Sequence, residues 1–189
     1  MTLSANTALL VIDVQQGLDD PQWGERNNPG AERNIAALLA AWRRTHRPVI
    51  HVQHMSTRPG SPLQPGLPGS TIKPEAAPAP GEPVFQKTVN SAFIGTTLEA
   101  HLRAEGIDTL VVVGLTTDHC VSSTTRMAAN LGFSAMVVSD GTATFERTGP
   151  EGEHHSAEQM HRLALASLHH EFAMVRRTEE VLAEAGSPG

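Results

Sequence analysis

Short uninterrupted apolar runs alternate along the chain with segments of helical spacing, and that rhythm predicts strand and helix by turns. Residues 8–12 (ALLVI) and 109–113 (TLVVV) are apolar or β-branched throughout, the pattern of parallel strands covered on both faces. Residues 48–52, 84–87, 135–139 and 172–175 read as four more strands. Between them, residues 31–44 place Ile35, Leu38, Leu39 and Trp42 on one helical face, and residues 96–105 turn Leu98 and Leu102 inward. Residues 153–170 form a helix carrying Met160, Leu163, Ala164 and Leu168, and a short helix follows over 179–185. This alternation predicts the α/β class: one domain over 1–189, built on a doubly covered six-stranded parallel sheet.

Two segments depart from the rhythm. Residues 55–83 are rich in Pro, Gly and Ser and too long for an idle connector, so they are expected to be functional or disordered. After the strand at 109–113, Gly114 closes the run, Thr117 can cap a helix, and Asp118 complements its positive end. Val121, Thr124, Met127, Ala128 and Leu131 then recur at helical spacing until Gly132. Cys120, the only cysteine, falls in that first turn, where unpaired N–H groups and the helix dipole favour thiolate and can hold an oxyanion. A buried, inert cysteine is the competing reading.

Composition narrows the setting. A chain of 189 residues, 39% of them hydrophobic, can bury one sizeable core. The formal net charge is −6 and no basic run appears, which argues against nucleic acid and anionic membranes as partners. No segment approaches a bilayer-spanning apolar length. With one cysteine, and no basic, apolar and small-residue leader pattern at its start, the chain is expected in a reducing cytoplasm. No G-x-G-x-x-G follows the first strand, so a dinucleotide cofactor is not expected.

In a parallel sheet of this kind ligands bind beyond the carboxyl ends of the strands. Asp13 ends the first strand, Lys87 the third, and Cys120 lies past the fourth, so an acid, a cation and a thiol share one edge. Singly, Asp13 could be a turn residue and Lys87 a solvated edge charge.

The segments VIDVQQ around Asp13, FQKTVNSAF around Lys87 and GLTTDHCV around Cys120 resemble, in order and spacing, the isochorismatase-like cysteine hydrolases. That superfamily includes nicotinamidases, carbamoylsarcosine amidohydrolases and biuret hydrolases, and the resemblance covers essentially the whole chain. It implies a Rossmann-like strand order, an Asp13, Lys87, Cys120 triad, and a cis peptide between Leu115 and Thr116 that aims an amide into the oxyanion hole. An ordinary trans turn is the alternative at that bond. The resemblance also implies a homo-oligomer, dimer or tetramer, and the wide apolar spread of Leu163, Leu165 and Leu168 points the same way.

The groups suit cleavage of a carbonyl C–N bond in a small molecule. Asp13 can take the thiol proton and return it to a leaving nitrogen while Lys87 favours both anions. A vinyl ether, the bond isochorismatases cleave, has no use for a thiol, and those members characteristically lack one. A non-catalytic binding or scaffold member of the fold is the remaining alternative.

Nicotinamidases carry an aspartate and a histidine two residues apart as metal ligands. The corresponding HVQHMS holds His51 and His54 without that carboxylate, so no metal and no other cofactor is expected. His51 reads as a core residue, and His54 as pocket lining or plain loop. Gln15, Leu18, Trp23, His54, Phe93 and Phe145 are the candidates for the substrate pocket; Leu18 stands where many relatives carry phenylalanine, and Phe93 could equally pack in the core. His154, His155, His161, His169 and His170 lack a zinc-protease pattern and are expected to be mostly solvated. Asp140 reads as a loop cap.

Overall fold

Every side chain of β1 (Ala8–Ile12) is apolar, so the strand can sit at the centre of a sheet with both faces covered. The computed structural model describes residues 3–186, and the ends of the expected 1–189 domain lie outside the described residues. After β1 come α1 (Ala31–Arg44), β2 (Val49–His54), β3 (Val84–Lys87), α2 (Leu98–Ala104), β4 (Thr109–Leu115) and α3 (Ser122–Asn130). The remaining elements are β5 (Ser134–Ala143), β6 (Arg147–Thr148), β7 (His154–His155), α4 (Ala157–Leu168), β8 (Met174–Arg176) and α5 (Thr178–Gly186).

Six strands pair in the order β3-β2-β1-β4-β5-β8, all parallel, and β6 and β7 form a separate antiparallel ribbon. Alternation along the strands splits the core into two layers. Leu9, Val11, Val111 and Val113 pack with Ile35, Leu38, Leu39 and Trp42 of α1 and Val181 of α5. Leu10, Ile12, Val112 and Val137 meet Leu98 and Leu102 of α2, Ala128 of α3, and Leu165 and Leu168 of α4 on the other face. The chain is thus an α/β protein with a doubly covered six-stranded parallel sheet. No helix among the described residues is long and apolar enough to cross a membrane.

The strands run further at their carboxyl ends than their hydrophobic runs predict, because the added residues, such as Gln53, His54 and Thr142, are polar. Gly114 lies inside β4 rather than closing it. Its φ is +119°, and a Cβ there would stand 2.0 Å from the Ile12 carbonyl oxygen, so only glycine lets β4 approach β1 this closely. The β4–β5 register shifts at this point, between Val112 and Gly114.

The late helix is shorter than the 153–170 pattern predicts. Ser156 accepts from the Gln159 N–H and Gln159 returns a bond to the Ser156 N–H, a capping box that starts α4 at Ala157. Leu165 and Leu168 belong to the core while Leu163 is exposed, so the three leucines do lie on more than one face of the helix. Asp140 accepts from the Thr178 N–H and hydroxyl and so fixes the start of α5.

Residues 55–83 are a fixed wall, held at several points. Lys73, buried, reaches Asp19 at 2.5 Å and Glu32 at 2.7 Å. Glu82 accepts from Arg43, from the Ala79 N–H and from buried His51, which is the core residue expected. Burial alone would raise the Glu32 and Glu82 carboxyls, but Arg26 and Lys73 beside Glu32, and Arg43, the Ala79 N–H and His51 beside Glu82, outweigh it and hold each at about 2. Because the folded pKa lies below the unfolded value, the stabilisation is full above about pH 4.5 and is lost as pH falls towards 2. Glu82→Gln is therefore expected to melt a few degrees below wild type at pH 7, the gap closing as melting curves are taken down to pH 2. A gap that persists in acid would contradict this.

Candidate active site

β1 and β4 are neighbours from which the chain departs in opposite directions, the place where an open α/β sheet leaves a crevice. Asp13, the first residue past β1, has a left-handed φ of 51°, and its N–H donates to the Val52 carbonyl at 2.9 Å. Lys87 ends edge strand β3, and its carbonyl accepts from the Met55 N–H at 2.7 Å. It is no solvated edge charge, for its side chain has no solvent exposure.

Cys120 lies in a π-helical turn, Thr117–Val121, that leads into α3, where the Val121 N–H donates to the Thr116 carbonyl at 3.1 Å. Thr117 does not cap the helix. Its hydroxyl instead bonds to Nδ1 of His161 at 2.9 Å, so His161 is a buried strut from α4 and not the solvated residue its sequence context implied. Asp118 accepts from the Thr144 hydroxyl and pairs with Arg147 at 3.2 Å, tying the turn to the end of β5. The Leu115–Thr116 peptide bond is cis.

The three elements converge on one ammonium. Lys87 Nζ lies 2.5 Å from Asp13 Oδ2, 3.0 Å from His54 Nδ1 and 3.3 Å from Cys120 Sγ. An ammonium has three hydrogens, and here three acceptors receive them. Candidate metal ligands from Asp13, His54 and Cys120 do stand within 4.8 Å of one another, but Lys87 already provides the cation on which they converge.

Burial pushes the Asp13 carboxyl above its ordinary range despite the opposing pull of Lys87. Burial and the nearby Asp13 charge push the Cys120 thiol far up, so the resting sulfur is a thiol and not the thiolate that a helix N-terminus alone would favour. Burial and the Lys87 charge lower the His54 imidazole, which is therefore neutral and accepts through Nδ1. Oδ1 of Asp13 is buried and without a hydrogen-bond partner, a free acceptor in a cluster otherwise saturated.

A cavity of about 460 Å³ opens above this cluster. Leu18, Trp23, His54 and Phe145 line it together with Asp13, Leu115, Thr116 and Cys120. Trp23 and Phe145 form part of the apolar wall, with ring centroids 6.1 Å apart. Two expected pocket residues are elsewhere. Gln15 is fully buried, its amide spent on the backbone of His54 and Ser70, where it clamps β2 to the 55–83 wall. Phe93 packs in the core against Phe133, because the turn after β3 folds it back under α2.

The family model for the Isochorismatase domain matches residues 7–180. The chain belongs to the isochorismatase family. This hydrolase-family chain is 45% identical over 175 residues to the isochorismatase family protein YrdC of Bacillus subtilis (strain 168), covering 93% of this chain and 94% of that protein. A solved isochorismatase-family structure from Chromobacterium violaceum ATCC 12472 superposes with a TM-score of 0.95 at 47% identity, covering 98% and 97% of the two chains. Ureidoacrylate amidohydrolase RutB of Variovorax paradoxus (strain S110) is 30% identical over 174 residues, covering 74% of this chain and 69% of that protein.

In this isochorismatase-family member the cavity also takes in residues that the sequence reading passed over: Arg58, Asn90, His119 and Arg147. Asn90 sits within the FQKTVNSAF segment, and its Oδ1 lies 3.9 Å from Cys120 Sγ. It could have been found from its closeness to Lys87 in sequence. Arg58 and Arg147 had no such signal, since their approach to Cys120 depends on how the 55–83 wall and the β6–β7 ribbon fold.

Proposed function

We propose that this family member is a cysteine-dependent hydrolase of small amide, carbamoyl or ureido C–N bonds, acting through a thioester and without a metal or other cofactor. The observation that carries the reading is the Lys87 ammonium held between the Asp13 carboxylate and the Cys120 sulfur. The amidohydrolase named among its relatives supports it. Asp13, ionised and with Oδ1 free, takes the thiol proton as Cys120 sulfur attacks the carbonyl carbon. Lys87 stays protonated and steadies whichever neighbour is anionic.

The tetrahedral oxyanion would lie against the backbone N–H groups of Thr116 and Cys120, where losing one donor typically costs about 3 kcal/mol. Asp13 then gives its proton to the departing nitrogen, the C–N bond breaks, and the acyl group remains on sulfur. Water, losing a proton to Asp13, attacks the thioester; the acid departs and the proton returns to Cys120. His54 would hold the ammonium in place by accepting one of its hydrogens.

A coupled assay for ammonia or amine across primary amides, N-carbamoyl compounds and ureas, run beside isochorismate, tests the reaction class. Nitrogen release from none of them, with isochorismate turned over by both wild type and Cys120→Ala, would overturn the reading. Chelation with EDTA is expected to leave nitrogen release intact. Activity lost with bound zinc, iron or manganese and regained on its return would contradict the metal-free assignment.

The pH profile follows from Asp13. Its carboxyl must be ionised in the free enzyme to act as base, and burial raises its pKa, so kcat/KM is expected to fall on the acid side. That limb should lie above the ordinary carboxylate titration near ~3.9. A flat profile down to that pH would remove Asp13 as the base.

A further inference from the structure

We propose that the cavity selects substrates carrying a carboxylate, and that Arg58 is the residue that receives it. This deepens the C–N hydrolase reading and rests on it only for the nature of the scissile group. Among the described residues Asp13 is the one carboxylate lining the cavity, and Lys87 already engages it. Two arginines line the same space. Arg147 is compensated, since its guanidinium pairs with Asp118 at 3.2 Å and donates to the Glu146 carbonyl at 3.0 Å. Arg58 is exposed at the rim, and among the described residues no hydrogen bond or ion pair engages its side chain. The cavity therefore carries one uncompensated positive charge, in a protein whose formal net charge is −6.

The turn that presents Arg58 is built in advance. The Ser56 N–H donates to the Leu63 carbonyl at 3.0 Å and closes the segment, the Ser61 N–H donates to the Arg58 carbonyl at 3.2 Å, and the Arg58 N–H donates to the Ser56 hydroxyl at 3.2 Å. Ser56, Ser61 and Leu63 are buried, so the turn is anchored on both sides of the exposed arginine. The backbone is thus ordered before a ligand arrives, and the ordering cost that remains on binding is that of the Arg58 side chain. A planar guanidinium at a cavity mouth matches a carboxylate in shape as well as charge. With Leu18, Trp23, Leu63 and Phe145 supplying apolar wall, the fitting molecule is an amide or N-carbamoyl compound with an apolar middle and an acidic end.

Because Cys120 is the only cysteine, its alkylation rate reads the cavity without any need for turnover. The probes are 3-maleimidopropionate and its neutral counterpart 3-maleimidopropionamide, which share one electrophile and differ in charge. Mass spectrometry at low ionic strength should show the acid reacting about fivefold faster in the wild type, the scale of one partly screened ion pair. The net negative charge of the protein would by itself give the opposite order. Arg58→Ala should bring the ratio to near one, Arg58→Lys should keep much of the preference, and added salt should erode it. Glutarate should slow labelling by the neutral reagent more than inorganic phosphate does at equal ionic strength. A wild-type ratio at or below one, a ratio unchanged by Arg58→Ala, or stronger protection by phosphate would each overturn the proposal. None of these outcomes depends on ammonia release, so failure of the C–N reading and failure of the Arg58 assignment are told apart.

Discussion

Cys120→Ala is expected to lower kcat/KM for nitrogen release on the order of 10⁴-fold or more while the protein keeps its circular dichroism spectrum and melts within a few degrees of wild type. The loss is large because no other group can form the thioester: no second cysteine exists, and Asp13, shielded by Lys87, is committed to proton transfer. The fold should tolerate the change because Cys120 is half-buried at the cavity floor, at the margin of the core layer it packs against, and alanine removes only a single sulfur atom there. Stopped or steady-state ammonia assays on purified wild type and variant decide the matter. Undiminished turnover in the variant would end the covalent mechanism outright.

Lys87→Met is expected to damage stability as well as activity. It leaves the Asp13 carboxylate fully buried with its cation gone, and breaking a buried ion pair from one side typically costs about 3–5 kcal/mol. For a domain of this size that corresponds to a melting temperature roughly 10 °C lower. The pH dependence has a definite sign. Asp13 is already raised by burial, and losing the ammonium raises it further, so the folded state binds the proton more tightly than the unfolded chain. The stability that such a group contributes is present in acid and lost as pH rises through its folded pKa. The deficit of Lys87→Met should therefore be smaller at pH 5 than at pH 8, and Asp13→Asn combined with Lys87→Met should recover much of it at pH 8 while remaining inactive. Melting curves of the three proteins at both pH values test this, and Lys87→Met as stable as wild type at pH 8 would refute it.

Much of the architecture was legible because the central strands are buried on both faces and must be apolar throughout. Residues 8–12 and 109–113 could be nothing else, and the 3.6-residue spacing of Ile35, Leu38, Leu39 and Trp42 marks α1 just as directly. The carboxyl ends of the strands were less legible. There the backbone stays in the sheet while the sequence turns polar, as at Gln53 and His54 of β2 and Asp140 and Thr142 of β5, or passes through Gly114 of β4, so the hydrophobic runs stop short of the true ends. Gly114 read as a terminator because glycine usually breaks a strand, whereas here its missing Cβ admits the Ile12 carbonyl.

The sequence by itself determined the order of the elements and the placing of an acid, a cation and a thiol at three strand ends, since those follow from local periodicity and chain order. Only the tertiary structure decided the state of those groups and their company. Burial and charge are sums over neighbours distant in the chain, so it was the packing that left Cys120 a thiol, drew His54 onto the Lys87 ammonium and spent Gln15 on backbone carbonyls. The same packing brought His161 from α4 beneath the Cys120 turn, 44 positions from its partner Thr117, and Arg58 from a proline-rich segment to the rim of the cavity that Cys120 lines, because groups so distant in the chain come together only when the whole sheet is assembled.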